Sequence, residues 1–188
     1  PGLTLPDELR DRPAQCIFIC RQHPGHLLDL IVQHGYEVRA LPVGDDSRLA
    51  TADNAHCAWL GTNWGTDSMQ TRQALGNQRL DWLVIDHYAL DIRWEQATRS
   101  ACERVLVIDD LADRSHDCDL LLDQNLGRTE QDYDGLLTSD TKMLIGPQYA
   151  LLRREFAHWR DYSLARRAQP HMKNLLITLG GVDKGNIT

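Results

Sequence analysis

Three stretches decide the fold: Trp82-Leu-Val-Ile-Asp-His-Tyr88, Arg104-Val-Leu-Val-Ile-Asp-Asp110 and Leu120-Leu-Leu-Asp-Gln-Asn125. Each is a short apolar run that stops abruptly at polar residues. Such runs, rich in Val, Ile and Leu, suit strands buried on both faces. Working outward, Cys16–Cys20, Tyr36–Leu41 and Lys142–Ile145 have the same character. Helical spacing fills the intervals. Leu27, Leu28, Ile31 and Val32 share one face, and Gly35 reads as the stop. Trp94, Ala97 and Ala101 mark a second helix, with Asp91 as its N-cap. Leu152, Phe156 and Trp159 mark a third. Alternating β and α elements predict an α/β fold with a doubly wound, mostly parallel sheet.

The composition is that of a folded, soluble chain. Of 188 residues, 42% are hydrophobic and 25% charged, a balance that argues against disorder. The net charge of −7 and the lack of a basic block exclude a duplex nucleic-acid binder and a polybasic membrane binder. The longest uninterrupted apolar run, Cys16–Cys20, is far too short to span a bilayer. Five cysteines without a C-x-x-C pair read as reduced thiols, and the expected location is cytoplasmic.

In open parallel sheets, ligands bind beyond the carboxyl ends of the strands. That rule selects Asp86, His87 and Tyr88, then Asp109, Asp110, Asp113 and Arg114. It also selects Asp123, Gln124 and Asn125, then Gly146, Pro147, Gln148 and Tyr149. Polar groups crowd one rim while the strands themselves are apolar. Asp86, His87, Asp109 and Asp110 could supply oxygen and nitrogen ligands to Mg²⁺ or Mn²⁺, but no compact metal motif is present. No metal and no cofactor are expected. Gly180-Gly181 follows an apolar run and precedes a helical pattern, where backbone N–H groups can approach a phosphate. Pro24-Gly25-His26 also opens a helix after a strand.

Several stretches occur together in one order: Trp59-Leu-Gly61 with Asp67, Asp86-His-Tyr88, Val107-Ile-Asp-Asp-Leu-Ala-Asp113 and Cys118-Asp-Leu-Leu-Leu-Asp-Gln-Asn125. Gly146-Pro-Gln-Tyr-Ala-Leu-Leu-Arg-Arg-Glu-Phe156 and Leu179-Gly-Gly-Val-Asp183 complete the set. Together they resemble the PseG family of nucleotide-sugar hydrolases of pseudaminic-acid biosynthesis. The resemblance implies the GT-B architecture, two Rossmann-like domains facing across a cleft, similar to the MurG glycosyltransferase. It implies hydrolysis of UDP-2,4-diacetamido-2,4,6-trideoxy-β-L-altropyranose to UDP and free sugar, with inversion and without a metal. On this basis residues 1–160 are expected to form most of the first domain, 161–172 a linker, and 173–188 the first strand of the second domain.

The same resemblance assigns roles. His87 and Tyr88 are the catalytic candidates, in contact with the sugar or its attacking water, with Tyr88 the better placed. Asn125 and Tyr149 line the sugar side. Gly180, Gly181 and Asp183 approach the sugar-diphosphate. The family's general base is a histidine in a G-x-G-H loop after the first strand, a motif this sequence does not contain; His26 follows what would be the family's second strand and is a decoy. Both ends therefore read as cut, since Leu3, Leu5 and Leu9 look like the tail of an amphipathic helix. A chain lacking its opening strand should expose a sheet edge or apolar face, and alone it should be catalytically incompetent. The expected partner is a UDP-sugar, with no nucleic acid, no membrane and a monomeric state. Three other readings compete: a GT-B glycosyltransferase, a metal-dependent hydrolase using the acidic rim, and a sugar-nucleotide binding module without turnover.

Overall fold

The six apolar runs all form strands. In the computed structural model, which describes residues 2–44, 56–169, 171–172 and 174–176, they are β1 (Ile17–Arg21), β2 (Glu37–Leu41), β3 (Leu80–Ile85), β4 (Cys102–Ile108), β5 (Leu120–Asp123) and β6 (Lys142–Ile145). Every strand pair is parallel. The helices are α1 (Thr4–Arg10), α2 (Leu28–Gln33), α3 (Trp64–Leu75), α4 (Ile92–Thr98) and α5 (Arg154–Arg167). The result is a Rossmann-like α/β fold. Only α2, α3 and α4 bridge successive strands; β4 to β5 and β5 to β6 are joined by loops and a short 3₁₀ turn at Glu130–Tyr133.

The strands fall into two sheets. One has the order β3-β4-β5-β6, and the other pairs β1 with β2. Strands β1 and β3 do not pair with each other among the described residues. The expectation of strands buried on both faces holds for β5 and for the centre of β4, where Val105, Val107 and Leu121 are fully buried. It fails at β3, which alternates. Leu83 and Ile85 face the core while Trp82 is 41% and Val84 43% exposed. The cause is position, because β3 ends its sheet.

The core lies under β3, β4 and β5, where Leu60, Leu90, Trp94, Cys102, Cys118 and Tyr133 pack on the inward strand residues. Asp91 caps α4 as expected, accepting a 3.0 Å hydrogen bond from the Arg93 N–H. Gly35 ends α2 with φ of +83°. Helix α3 was not foreseen. Asn63 caps it by accepting the Thr66 N–H at 2.8 Å, and its buried face is Asp67, Ser68, Thr71 and Leu75. All five cysteines are free thiols, and no helix among the described residues is long and apolar enough to cross a membrane.

The chain divides into two compact units, Pro1–Leu151 and Leu152–Thr188. In the second, α5 runs through to Arg167, so the first part of the stretch expected as a linker is helical. Residues 174–176 carry no regular structure, with Leu175 and Leu176 exposed. The remainder of the expected second-domain strand, with Gly180, Gly181 and Asp183, lies outside the described residues.

Two expectations follow from this architecture. Truncating the fully buried Leu121 to Ala lowers stability by about 3 kcal/mol, read as a fall in the urea midpoint with unchanged slope. Hydrogen exchange distinguishes the strands: the amides of Leu106 and Val107, where β4 pairs with both β3 and β5, exchange slowly, whereas alternate amides of β3 exchange fast. Uniform protection along β3 contradicts the two-sheet arrangement.

Candidate functional site

The carboxyl ends of β1, β3, β4 and β5 carry a connected set of charged and aromatic side chains. At the end of β1, buried Arg21 reaches Asp67 in the first turn of α3, Nη2 to Oδ2 at 2.5 Å, and donates to the Pro42 carbonyl. The other Asp67 oxygen accepts the Trp94 indole N–H at 2.9 Å. Asp67 is 5% exposed. Its place at a helix N-terminus is favourable for a carboxylate.

His23 packs beside this pair against Gly61. A Cβ at Gly61 would lie 2.5 Å from His23 Cε1, and the residue has φ of +70°. Only glycine meets both demands. The Trp59-Leu-Gly61 motif thus has a local explanation: Leu60 enters the core and Gly61 makes room for His23.

The end of β3 presents Asp86, His87 and Tyr88. The His87 Nδ1 accepts the Ala89 N–H at 3.1 Å. Desolvation pushes its pKa down, and His23, Arg114 and Arg21 add to this against the opposing pull of Asp67. The imidazole is therefore neutral at neutral pH. Because Nδ1 is the acceptor, the ring proton sits on Nε2. The Tyr88 hydroxyl donates to Asp110 Oδ2 at 3.1 Å. Desolvation and this neighbouring carboxylate raise the phenol to about 12. Asp86 is raised as well, by desolvation and by Asp110. Tyr88 also touches His56 and Trp59, with ring centroids 5.5 Å and 5.8 Å away.

The acidic residues at β4 and β5 are mostly committed. Asp109 is 1% exposed and bonds Arg114 at 2.8 Å, the Ala112 N–H at 2.9 Å and the Tyr133 hydroxyl at 3.1 Å. Burial pushes its carboxyl up, but these donors outweigh it and hold the pKa below the usual value. They also hold Ala112 at φ of +53°, the one non-glycine residue in the left-handed region among those described. Asp123, fully buried, accepts from the Asn125 N–H at 2.8 Å, Arg128 at 2.9 Å and Tyr133 at 2.9 Å. One carboxylate oxygen of Asp109 and one of Asp110 are buried with no hydrogen-bond partner, and that of Asp109 is ion-paired with Arg114 at 2.8 Å.

The structure brings His87, Tyr88, Asp110 and Asn125 to one rim. The Asn125 side-chain amide donates to the Asp110 carbonyl at 3.0 Å. Tyr149 is exposed on the turn after β6, three strands from β3, a separation of about 14 Å from strand spacing. His26 is exposed ahead of α2. Sequence reasoning passed over Arg21, His23 and His56. The strand-end rule identifies the first two once it is applied to β1 as it was to β3. No group of three or more His, Cys, Asp or Glu side chains among the described residues is placed to hold a metal. A separate concavity of about 490 Å³ lies at the opposite, amino-terminal ends of β3 and β4, lined by Arg72, Arg79 and Ser100 among others. It shares no residue with the rim.

No protein-family model matches the chain. It is 30% identical over 112 residues to the UDP-2,4-diacetamido-2,4,6-trideoxy-beta-L-altropyranose hydrolase of Campylobacter jejuni, a stretch covering 59% of this chain and 39% of that protein. It is 24% identical over 127 residues to an uncharacterized protein of Methanocaldococcus jannaschii, covering 65% of this chain and 26% of that protein. The matched stretches thus span well under half the length of either curated relative. Tertiary fold and similarity agree at one level: this is a parallel α/β chain with a distant likeness to a UDP-sugar hydrolase.

Proposed function

We infer that the protein hydrolyses a UDP-sugar, and that the rim of β3 and β4 faces the sugar. The observation that carries this reading is the Asp86-His-Tyr88 segment at the end of β3, whose phenol is held on Asp110 of β4, in a chain similar to a UDP-sugar hydrolase. The substrate is UDP-2,4-diacetamido-2,4,6-trideoxy-β-L-altropyranose, the sugar nucleotide in the relative's name. Water attacks the anomeric carbon as the bond to the diphosphate oxygen breaks on the opposite face, giving inversion. UDP leaves as a stable anion and needs little acid assistance.

The two rim residues orient rather than deprotonate. The His87 Nε2–H is a donor and its Nδ1 is engaged by Ala89, so the imidazole holds an oxygen and does not take a proton. Tyr88 stays protonated, spends its hydrogen on Asp110 and offers its oxygen lone pair to the attacking water. The water's proton goes to a base other than these two. Asn125, whose side-chain amide donates to the Asp110 carbonyl, lines the sugar side.

The test is UDP release from this UDP-sugar by the full-length protein, followed by NMR so that the first anomer formed is identified. EDTA-insensitive release with inversion supports the reading, and Tyr88→Phe then lowers kcat about a hundredfold through loss of positioning. Binding without release replaces it with a transferase or a non-catalytic binding module. A second expectation concerns pH. With its folded pKa below the unfolded value of 6.5, His87 contributes stability that is fully present above about pH 6.5 and is lost as pH falls through the folded value. Urea midpoints at pH 5 and pH 7.5 converge in His87→Gln relative to the parent; an unchanged gap shows that His87 is not the titrating group.

A further inference from the structure

We propose that Trp59, packed against His56 and Tyr88, is the platform that receives the apolar groups of the substrate's sugar. This rests on the nucleotide-sugar reading above and assigns the sugar half of the ligand to these three rings.

Four observations carry it. Trp59 is 56% exposed although it belongs to a ring cluster: its centroid lies 4.7 Å from His56 and 5.8 Å from Tyr88, the latter edge-on. An indole face left open beside two supporting rings is an apolar surface of fixed orientation, and its negative quadrupole attracts the polarised C–H bonds of a sugar. Second, the cluster adjoins the carboxyl end of β3, where ligands of open parallel sheets bind. Third, a polar group is adjacent: the Tyr88 hydroxyl is held by Asp110 at 3.1 Å, and its own oxygen keeps a lone pair that can accept an N–H or O–H. Apolar surface with a few convergent polar groups is the usual makeup of a small-ligand site. Fourth, Asp86 and Asp110 make this patch anionic. A diphosphate is repelled here, so the sugar and not the UDP fits.

The chemistry narrows the sugar. A fully hydroxylated hexose presents few apolar groups, whereas a 6-deoxy, N-acetylated hexose carries a ring methyl and acetyl methyls that suit aromatic faces. Its amide N–H groups suit the Tyr88 oxygen lone pair.

Saturation-transfer NMR on the full-length protein with free 2,4-diacetamido-2,4,6-trideoxyaltrose, and separately with UDP alone, tests this. Irradiating the aromatic protons should saturate the sugar methyls in the parent protein and in Trp59→Phe, and not in Trp59→Ala. KM for the UDP-sugar should rise about tenfold in Trp59→Ala, equivalent to ~1.4 kcal/mol, with UDP affinity little changed. Circular dichroism checks that the variant is folded. Equal saturation of the sugar methyls in Trp59→Ala and the parent overturns the platform, as does an equal loss of affinity for UDP alone. The two readings fail separately. Sugar contact without UDP release leaves the platform and removes the hydrolase, while UDP release without contact does the reverse.

Discussion

A buried carboxylate, with Arg39 of β2 bonding Ala74 and Gln78, ties the two-stranded sheet to the rest of the first unit. Asp67 accepts the Arg21 guanidinium from β1 and the Trp94 indole from α4, so one side chain joins the two-stranded sheet to the elements of the four-stranded one. The strands of the two sheets do not hydrogen-bond to each other among the described residues, so these contacts substitute for a backbone ladder. An ion pair this deeply buried adds little net stability over an apolar equivalent, but losing one partner leaves an uncompensated charge, at a cost of about 3–5 kcal/mol. Its value here is specificity: it fixes where the end of β1 lies relative to the rim.

Around that tie the rim separates committed acids from available ones. Asp109 and Asp123 are engaged by Arg114, Arg128, backbone N–H groups and the one Tyr133 hydroxyl they share, and they hold the loops after β4 and β5 in place. Glu95 does similar work deeper in the unit, gripping His116 at 2.6 Å and the Asp117 N–H at 2.5 Å. Asp86 and Asp110 are left with exposed or unpartnered oxygens next to His87 and Tyr88. Four carboxylates that look alike in the sequence thus divide into scaffold and candidate chemistry. Only the positions of their donors make the distinction.

All six strands were legible in the sequence because a buried strand needs only a short apolar run, and a run such as Arg104–Ile108 is unmistakable. Helix α3 was not legible, for a physical reason: the face it buries is Asp67, Ser68 and Thr71, so no apolar periodicity advertises it. The split into two sheets was also invisible, since local pattern does not encode which strands pair. In the site, His87 and Tyr88 followed from the strand-end rule. The same rule reaches His23 at the end of β1, but its packing on Gly61, far away in the chain and adjacent in space, could not be read from the sequence. Cross-chain contacts of this kind carry no local signal.

The exposed face of β3 bears on how the protein behaves in concentrated solution. Among the described residues, Trp82 and Val84 stand outward on a strand with one unpaired edge, and β1 offers a second such edge. Unpaired parallel edges with apolar side chains are templates for another strand. The opposing force is the net charge of −7, which keeps copies apart at low ionic strength. Salt reduces that repulsion to a range of roughly 8 Å at physiological strength. Colloidal stability therefore depends on ionic strength, and it falls as the pH approaches the isoelectric point near 5.5.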